Sequence, residues 1–366
     1  MMTRRPCSPR RPSRLVVRTG LLATLATALA FASASAQSAG TTGSAGPSSW
    51  KVPRTADGHP DLQGVWGDNG ATPLQRPKAL AGKTVLNEQE LAALKEAAAK
   101  LFDGGGDAAF GDQVFEAALA RVSKAVSTDG KTGNYNHFWL VEREFDNRTS
   151  LITDPPDGRI PPLTPEAQRA VDAMAGRARG EGDTRAGKAD TWEDRSLSER
   201  CISFGAPRLL AGYNSYLQIF QSRDVVTIVQ ETIHDARIIP LDGRPHLPGQ
   251  VRQWHGDSRG RWEGDTLVIE TTNYGPHSRL LASPTSLEKT KVTERLRRVD
   301  ANTLEHTITF DDPTVWTKPW TMMVPLKRTD EKLYEYACHE GNTGMHGILA
   351  GAREEEKRTG VAPKTN

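Results

Sequence analysis

Apolar and polar residues alternate through most of the chain after Cys201. The pattern is clearest in "YLQIFQSRDVVTIVQETIHDARIIPLDG", "RWEGDTLVIETTNY", "TKVTERLRRVDANTLEHTITFDD" and "TMMVPLKR", and continues into "KLYEYACHEG". A period of two is the period of a β-strand with one buried face. Asp-Gly, Arg-Gly, Glu-Gly and Asp-Ala-Asn punctuate the runs, and these are turn residues. Linkers so short permit antiparallel pairing only, because parallel crossovers need far more chain. About six to eight such strands predict one antiparallel barrel or a strongly curled sheet.

The residues before Cys201 follow another rhythm. Over 86–101, "LNEQELAALKEAAAKL", Leu91, Leu94 and Leu101 recur at helical spacing. Asn87 with Glu90 three residues on is a capping signature. "DGGGD" stops that helix, and a second is predicted over 112–126. Four prolines around Gly158 forbid regular structure there, and Thr164-Pro165-Glu166 starts a third helix with proline in its first turn. The prediction is a mainly β domain over 53–353 with helical additions. Its helical and irregular insertion at 67–200 wraps the sheet or plugs its mouth, and 354–366 is a flexible tail.

The first 36 residues change the picture of charge and location. Arg4, Arg5, Arg10, Arg11, Arg14 and Arg18 precede the apolar "LLATLATALAFA" and the small residues Ala34-Ser35-Ala36. That is the layout of a Sec-type signal peptide, so the mature protein is expected in the periplasm or secreted. Residues 37–52 read as a flexible linker. Without the six leader arginines the formal charge passes from +2 to −4. No basic stripe then remains for a nucleic acid. Nothing after residue 36 is long and apolar enough for a stable membrane span after cleavage. Cys201 and Cys338 are an even pair in an exported chain, which predicts a disulfide.

Candidate chemistry gathers in "RQWHGDSRGRWEGDTLVIETTNY", residues 252–274. Turn chemistry accounts for Gly256, Gly260, Gly264 and Asp265, with Trp254 and Trp262 expected to pair across the first turn. Turn chemistry does not require His255 or Arg259. Together with Asp257 they are expected to face a pocket shared with His234 and His339, Arg259 supplying a fork for a carboxylate or developing oxyanion. Glu231 in a strand at 225–234, and Glu294 in a strand at 291–299, alternate with apolar neighbours and so point inward. A carboxyl there either acts as an acid or base or meets an arginine such as Arg237, Arg244 or Arg295. The histidines lack H-x-H, H-x-x-x-H or H-E-x-x-H spacing, so no cofactor is predicted and a metal ion is the lesser reading.

The phrases "PDLQGVW", "DPPDGRIPPLTPEAQ", "RIIPLDGRPHLP", "GDSRGRWEGDTLVIETTN" and "YEYACHEGN" resemble a large family of uncharacterised exported bacterial proteins, over about residues 53 to 353. That resemblance implies export and no particular activity. Gly64-Val65-Trp66 also resembles the G-x-W that opens the first strand of lipocalin-like barrels, where the tryptophan plugs one barrel end.

Three classes of function follow. The first is a lipocalin-like barrel binding a small apolar or aromatic molecule, its mouth lined by Tyr213, Tyr216, Trp254, Trp316, Trp320 and Tyr336. The second is an enzyme on the same cavity, a lyase, isomerase or hydrolase. Its proton transfers would use His234 or His339 with Glu231, Glu294 or Asp257. The third is an interaction protein of the cell envelope, for which no repeat or motif speaks. No G-x-S-x-G, Walker loop or strand-borne G-x-G-x-x-G is present.

Overall fold

Alternation builds the sheet. A computed structural model describes residues 50–103, 112–121, 143–179, 189–208, 214–276, 278, 280 and 287–360. The leader, most of the linker, the far end of the second predicted helix and Tyr213 lie outside those residues. The strands described are β1 (Gly64–Gly67), β2 (Ile152–Asp154), β3 (Tyr216–Gln221), β4 (Val225–Gln230), β5 (Ala236–Pro240), β6 (Asp257–Glu263), β7 (Thr266–Thr272), β8 (Lys291–Arg298), β9 (Thr303–Asp311) and β10 (Trp320–Thr329). They form one antiparallel sheet in the order β5-β4-β3-β1-β10-β9-β8-β7-β6, with β2 also paired to β10. Two runs of hairpins, β3 to β5 and β6 to β10, are thus joined through β1, which pairs with β3 on one side and β10 on the other.

Every second residue points inward. On β8 these are Val292, Glu294, Leu296 and Arg298; on β9, Leu304, His306, Ile308 and Phe310; on β10, Trp320, Met322, Val324 and Leu326. One end of this core is aromatic. Phe310 stacks on Trp320 at 4.3 Å between ring centroids, and Trp316 meets both edge-on. Elsewhere in the core the fully buried Trp66 lies beneath the guanidinium groups of Arg298 and Arg328, at 5.5 and 5.9 Å from its ring.

The expected barrel does not close. The edge strands β5 and β6 share no backbone ladder. They nevertheless meet through side chains: a Cβ on Gly260 would stand 2.9 Å from Ile239 and 2.6 Å from Leu241. The sheet curls until its edges touch, and the intruding isoleucine and leucine fill the seam where hydrogen bonds would otherwise run.

Three helices precede Cys201, α1 (Glu88–Asp103), α2 (Asp112–Leu119) and α3 (Pro165–Arg179), and α1 and α3 begin where capping chemistry places them. Asn87 Oδ1 accepts from the Glu90 N–H at 2.9 Å, and Glu90 returns the bond to the Asn87 N–H at 2.9 Å. Thr164 Oγ1 accepts from the Ala167 N–H at the start of α3. Leu94, Ala98 and Leu101 pack on Val114, Phe115 and Ala118 with Ala71, Leu86 and Phe145, a second core distinct from that of the sheet.

Four local expectations are corrected. Residues 257–263 form a strand and the turn falls at Gly264-Asp265, because Ser258, Gly260 and Trp262 supply an inward alternation. Trp254 therefore does not pair with Trp262; it is exposed, while Trp262 stacks on His59 at 5.0 Å. The strand expected through His234 ends at Gln230. There the Gln230 N–H donates to the Asp235 carbonyl, and Ile233 and His234 take positive φ. "KLYEYACHEG" is irregular rather than a strand. Residues 354–359, expected in a tail, belong to α4 (Gly344–Thr359), where Arg353–Glu356, Lys357–Glu354 and Arg358–Glu355 pair one turn apart.

Candidate functional site

The shortness of β1 creates a split in the sheet. Its last residue, Gly67, still bridges Tyr216 of β3 and Lys327 of β10. Beyond it β10 has, among the described residues, no strand partner on that side until β2 joins at Met322. Met323 donates to the Leu151 carbonyl, so the backbone nitrogens of alternate residues aim at this side. Pro325 is the next such residue, and it has no N–H to leave unpaired. A cavity of about 20 Å³ opens in the split. Leu217, Val324 and Leu326 make its aliphatic wall, and Asp68, Arg208, Ser215, Tyr216, Gln230 and His306 its polar side.

Register explains why these groups converge. Asp68 lies two residues after the buried Trp66 and so continues the inward face of β1. His306 lies opposite Val324 in the β9–β10 pairing. Gln230 ends the inward row of β4, and its Oε1 accepts from the Arg208 N–H at 2.6 Å.

Behind the cavity runs a buried polar relay. Glu294 is fully buried and receives Arg237 in a fork, Nη1 to Oε1 at 2.6 Å and Nη2 to Oε2 at 2.8 Å. Its Oε2 also meets His306 Nε2 at 2.9 Å. With Nε2 so committed, Nδ1 is the nitrogen His306 has left for the cavity it lines. Burial pushes the Glu294 carboxyl upward, but Arg237 and His306 outweigh it and hold it down to about 2. Glu294 is therefore an anion, and its contact with Nε2 fixes the orientation of the His306 ring.

Asp68 is the opposite case. Burial pushes its carboxyl up to about 6, against the pull of Arg143, the Gly70 N–H, His306 and Arg208. Glu231, buried beside β3, is also raised by burial, against the Tyr216 and Tyr334 N–H groups. A cavity flanked by a held histidine and a carboxyl near neutrality is suited to moving protons.

The residues singled out from sequence separate into several places. Tyr216, expected at the mouth, lines the cavity itself, and Glu294 reaches the lining through His306. Glu231 is buried in the turn after β4, its Oε2 3.4 Å from the Tyr216 N–H. His234 and His339 are exposed, in separate turns. Asp257 is buried, accepts from the Leu247 N–H at 3.0 Å and meets His246 Nδ1 at 2.8 Å. Arg259 pairs with Asp257 at 3.0 Å and donates to the Pro245 and Ser258 carbonyls. His255 pairs with Asp235 at 3.2 Å. Trp316 and Trp320 are core residues, and Tyr336 packs edge-on against Phe204 at 6.2 Å. Cys201 and Cys338 are disulfide-bonded. Among the described residues no three His, Cys, Asp or Glu side chains converge as metal ligands, and no helix is long and apolar enough to cross a membrane.

His306 was open to the reasoning that found Glu294, since Leu304, Ile308 and Phe310 flank it at strand period. Asp68 carries a fainter mark, its spacing from Trp66. Arg208 and Ser215 lie in irregular chain, where no periodicity points inward. No protein-family model, curated protein or solved structure matches the chain.

Proposed function

We propose that this is an exported protein whose cavity holds a small polar molecule and exchanges protons with it, as a lyase, isomerase or hydrolase does. One observation carries the reading: His306 faces the cavity with its far nitrogen held by Glu294, which Arg237 holds in turn. An imidazole fixed in orientation and backed by a carboxylate is the arrangement a general base needs. Asp68, across the same cavity and raised toward neutrality by burial, supports the complementary acid. The leader pattern and the Cys201–Cys338 bridge support export.

The test is proton exchange. Purified oxidised protein is incubated in D2O with a panel of small acids, esters, lactones and ketones, and each compound is followed by NMR for deuterium incorporation or conversion. The reading expects at least one compound to react, with the rate falling about 100-fold or more in His306→Asn and Asp68→Asn, both still folded by circular dichroism. No reaction across the panel, or a rate untouched by His306→Asn, overturns it.

A further inference from the structure

We infer that the cavity takes the carboxylate head of a small organic acid whose ring rests outside it on Phe204 and Tyr336, a deepening that rests on the acid–base reading for the role of His306. Ser215 supplies the first reason. It is only 9% exposed, it lines the cavity, and its hydroxyl has no hydrogen-bond partner among the described residues. A buried hydroxyl left unpaired is destabilising, and a ligand oxygen accepting its proton removes that penalty.

Arg208 supplies the second. It lines the same cavity while its guanidinium lies 5.2 Å from the Phe204 ring. A guanidinium stacked on an aromatic face keeps its N–H donors in plane, in the fork that matches a carboxylate. Size then decides what enters. A space of about 20 Å³ holds the equivalent of roughly one or two waters, enough for a carboxylate and too little for a ring. The ring must lie outside, and Phe204 stands against Arg208 of the lining, 41% exposed and met edge-on by the partly buried Tyr336.

The ligand's charge would lie beside Asp68. Two carboxylates in one small cavity do not both ionise; one holds a proton that the other accepts. Arg143, Arg208 and His306 face Asp68, Tyr216 flanks it on β3, and Glu231 sits near Arg208. Arg143 and Arg208 do not displace the shared proton, because burial already holds Asp68 toward its neutral form. Binding is therefore accompanied by proton uptake around neutral pH.

Isothermal titration of the full oxidised chain with benzoate, benzamide and acetate tests this, in two buffers of different ionisation enthalpy. Benzoate is expected to bind at pH 5.5, at least tenfold more tightly than benzamide, and about tenfold more weakly at pH 8. Near pH 6.5 it should take up a proton. Ser215→Ala should weaken benzoate about fivefold while the melting temperature holds or rises. Asp68→Asn should remove the pH dependence, and Phe204→Ala should weaken benzoate while leaving acetate alone. No benzoate binding at about 10 mM, or binding indifferent to both Ser215→Ala and Asp68→Asn, overturns the inference. Benzoate has no exchangeable carbon-bound proton of the kind followed above, so the two tests separate. Deuterium exchange without benzoate binding defeats only the carboxylate assignment, and benzoate binding without exchange defeats only the proton-transfer reading.

Discussion

Arg237 and Glu294 stand 57 residues apart in the chain and meet in a two-pronged ion pair inside the sheet, one on an edge strand and the other on β8. The pair is almost completely buried, so neither charge has water to fall back on. Breaking such a pair strands the remaining charge, whereas an exposed pair contributes little. Glu294→Ala is therefore expected to cost about 3–5 kcal/mol in urea unfolding. Glu305→Ala, which removes the exposed pair with Arg297, should cost under about 1 kcal/mol. Glu294 titrates low in the folded chain, so its stabilisation is present above its ordinary value of 4.5 and lost as pH falls toward 2. Acid unfolding of Glu294→Gln should lack that component.

Asp68 has the opposite sign. Its carboxyl is raised from 3.8 to about 6 in the folded protein, so the folded chain holds the proton more tightly than the unfolded one between those values. Stability from this group declines as pH rises through that window and is lowest above it. Asp68→Asn cannot ionise. Its melting temperature relative to the parent should rise between pH 4 and pH 7, and a difference that stays flat across those pH values contradicts the assignment.

Arg259 is held by structure. Its guanidinium covers the buried Asp257 and two backbone carbonyls, so Arg259→Ala leaves a carboxylate less compensated. A loss of about 1–3 kcal/mol is expected, beyond the ±0.5 typical of surface changes. Gly264→Ala makes a useful comparison. Nothing lies within 4 Å of the added methyl, and the strain comes only from φ near +58°. Its cost should be about 1 kcal/mol.

How much of this was legible follows from where each residue sits. Alternation marked Glu294 as inward because Val292 and Leu296 flank it, and the same pattern in "TLEHTITF" marks His306. Alternation does not say which arginine crosses the sheet to Glu294. Arg237, Arg244 and Arg295 were all open, and only the curl of β5 toward β8 selects Arg237. The turn at 231–234 defeated the pattern: Glu231 and His234 continue an alternating run, yet the chain reverses after Gln230. The glycines of 256–264 read as two turns. Only Gly264 lies in a hairpin turn; Gly260 is a strand residue whose missing side chain admits Ile239 and Leu241.

The Cys201–Cys338 bridge closes a separation of 137 residues. A cross-link of that span restricts the unfolded chain by about 4–5 kcal/mol in the chain-entropy treatment. Dithiothreitol, or Cys201→Ser with Cys338→Ser, should lower the urea midpoint while leaving most of the β circular dichroism intact below it. An unchanged midpoint would show that the reduced unfolded chain is already compact.

The placement of β1 between β3 and β10 sets the order in which the protein can be made. β1 lies near the beginning of the described chain and β10 near its end, yet Val65 pairs with Thr329 and Gln218 alike. Each run of hairpins can form from neighbouring residues as it emerges. The strand that unites them is synthesised first and must wait for the last. Until β10 arrives, β1 has half its partners, Trp66 lacks the cover of Arg328, and the inner wall of the split does not exist. Such long-range pairing makes final assembly slow relative to the hairpins.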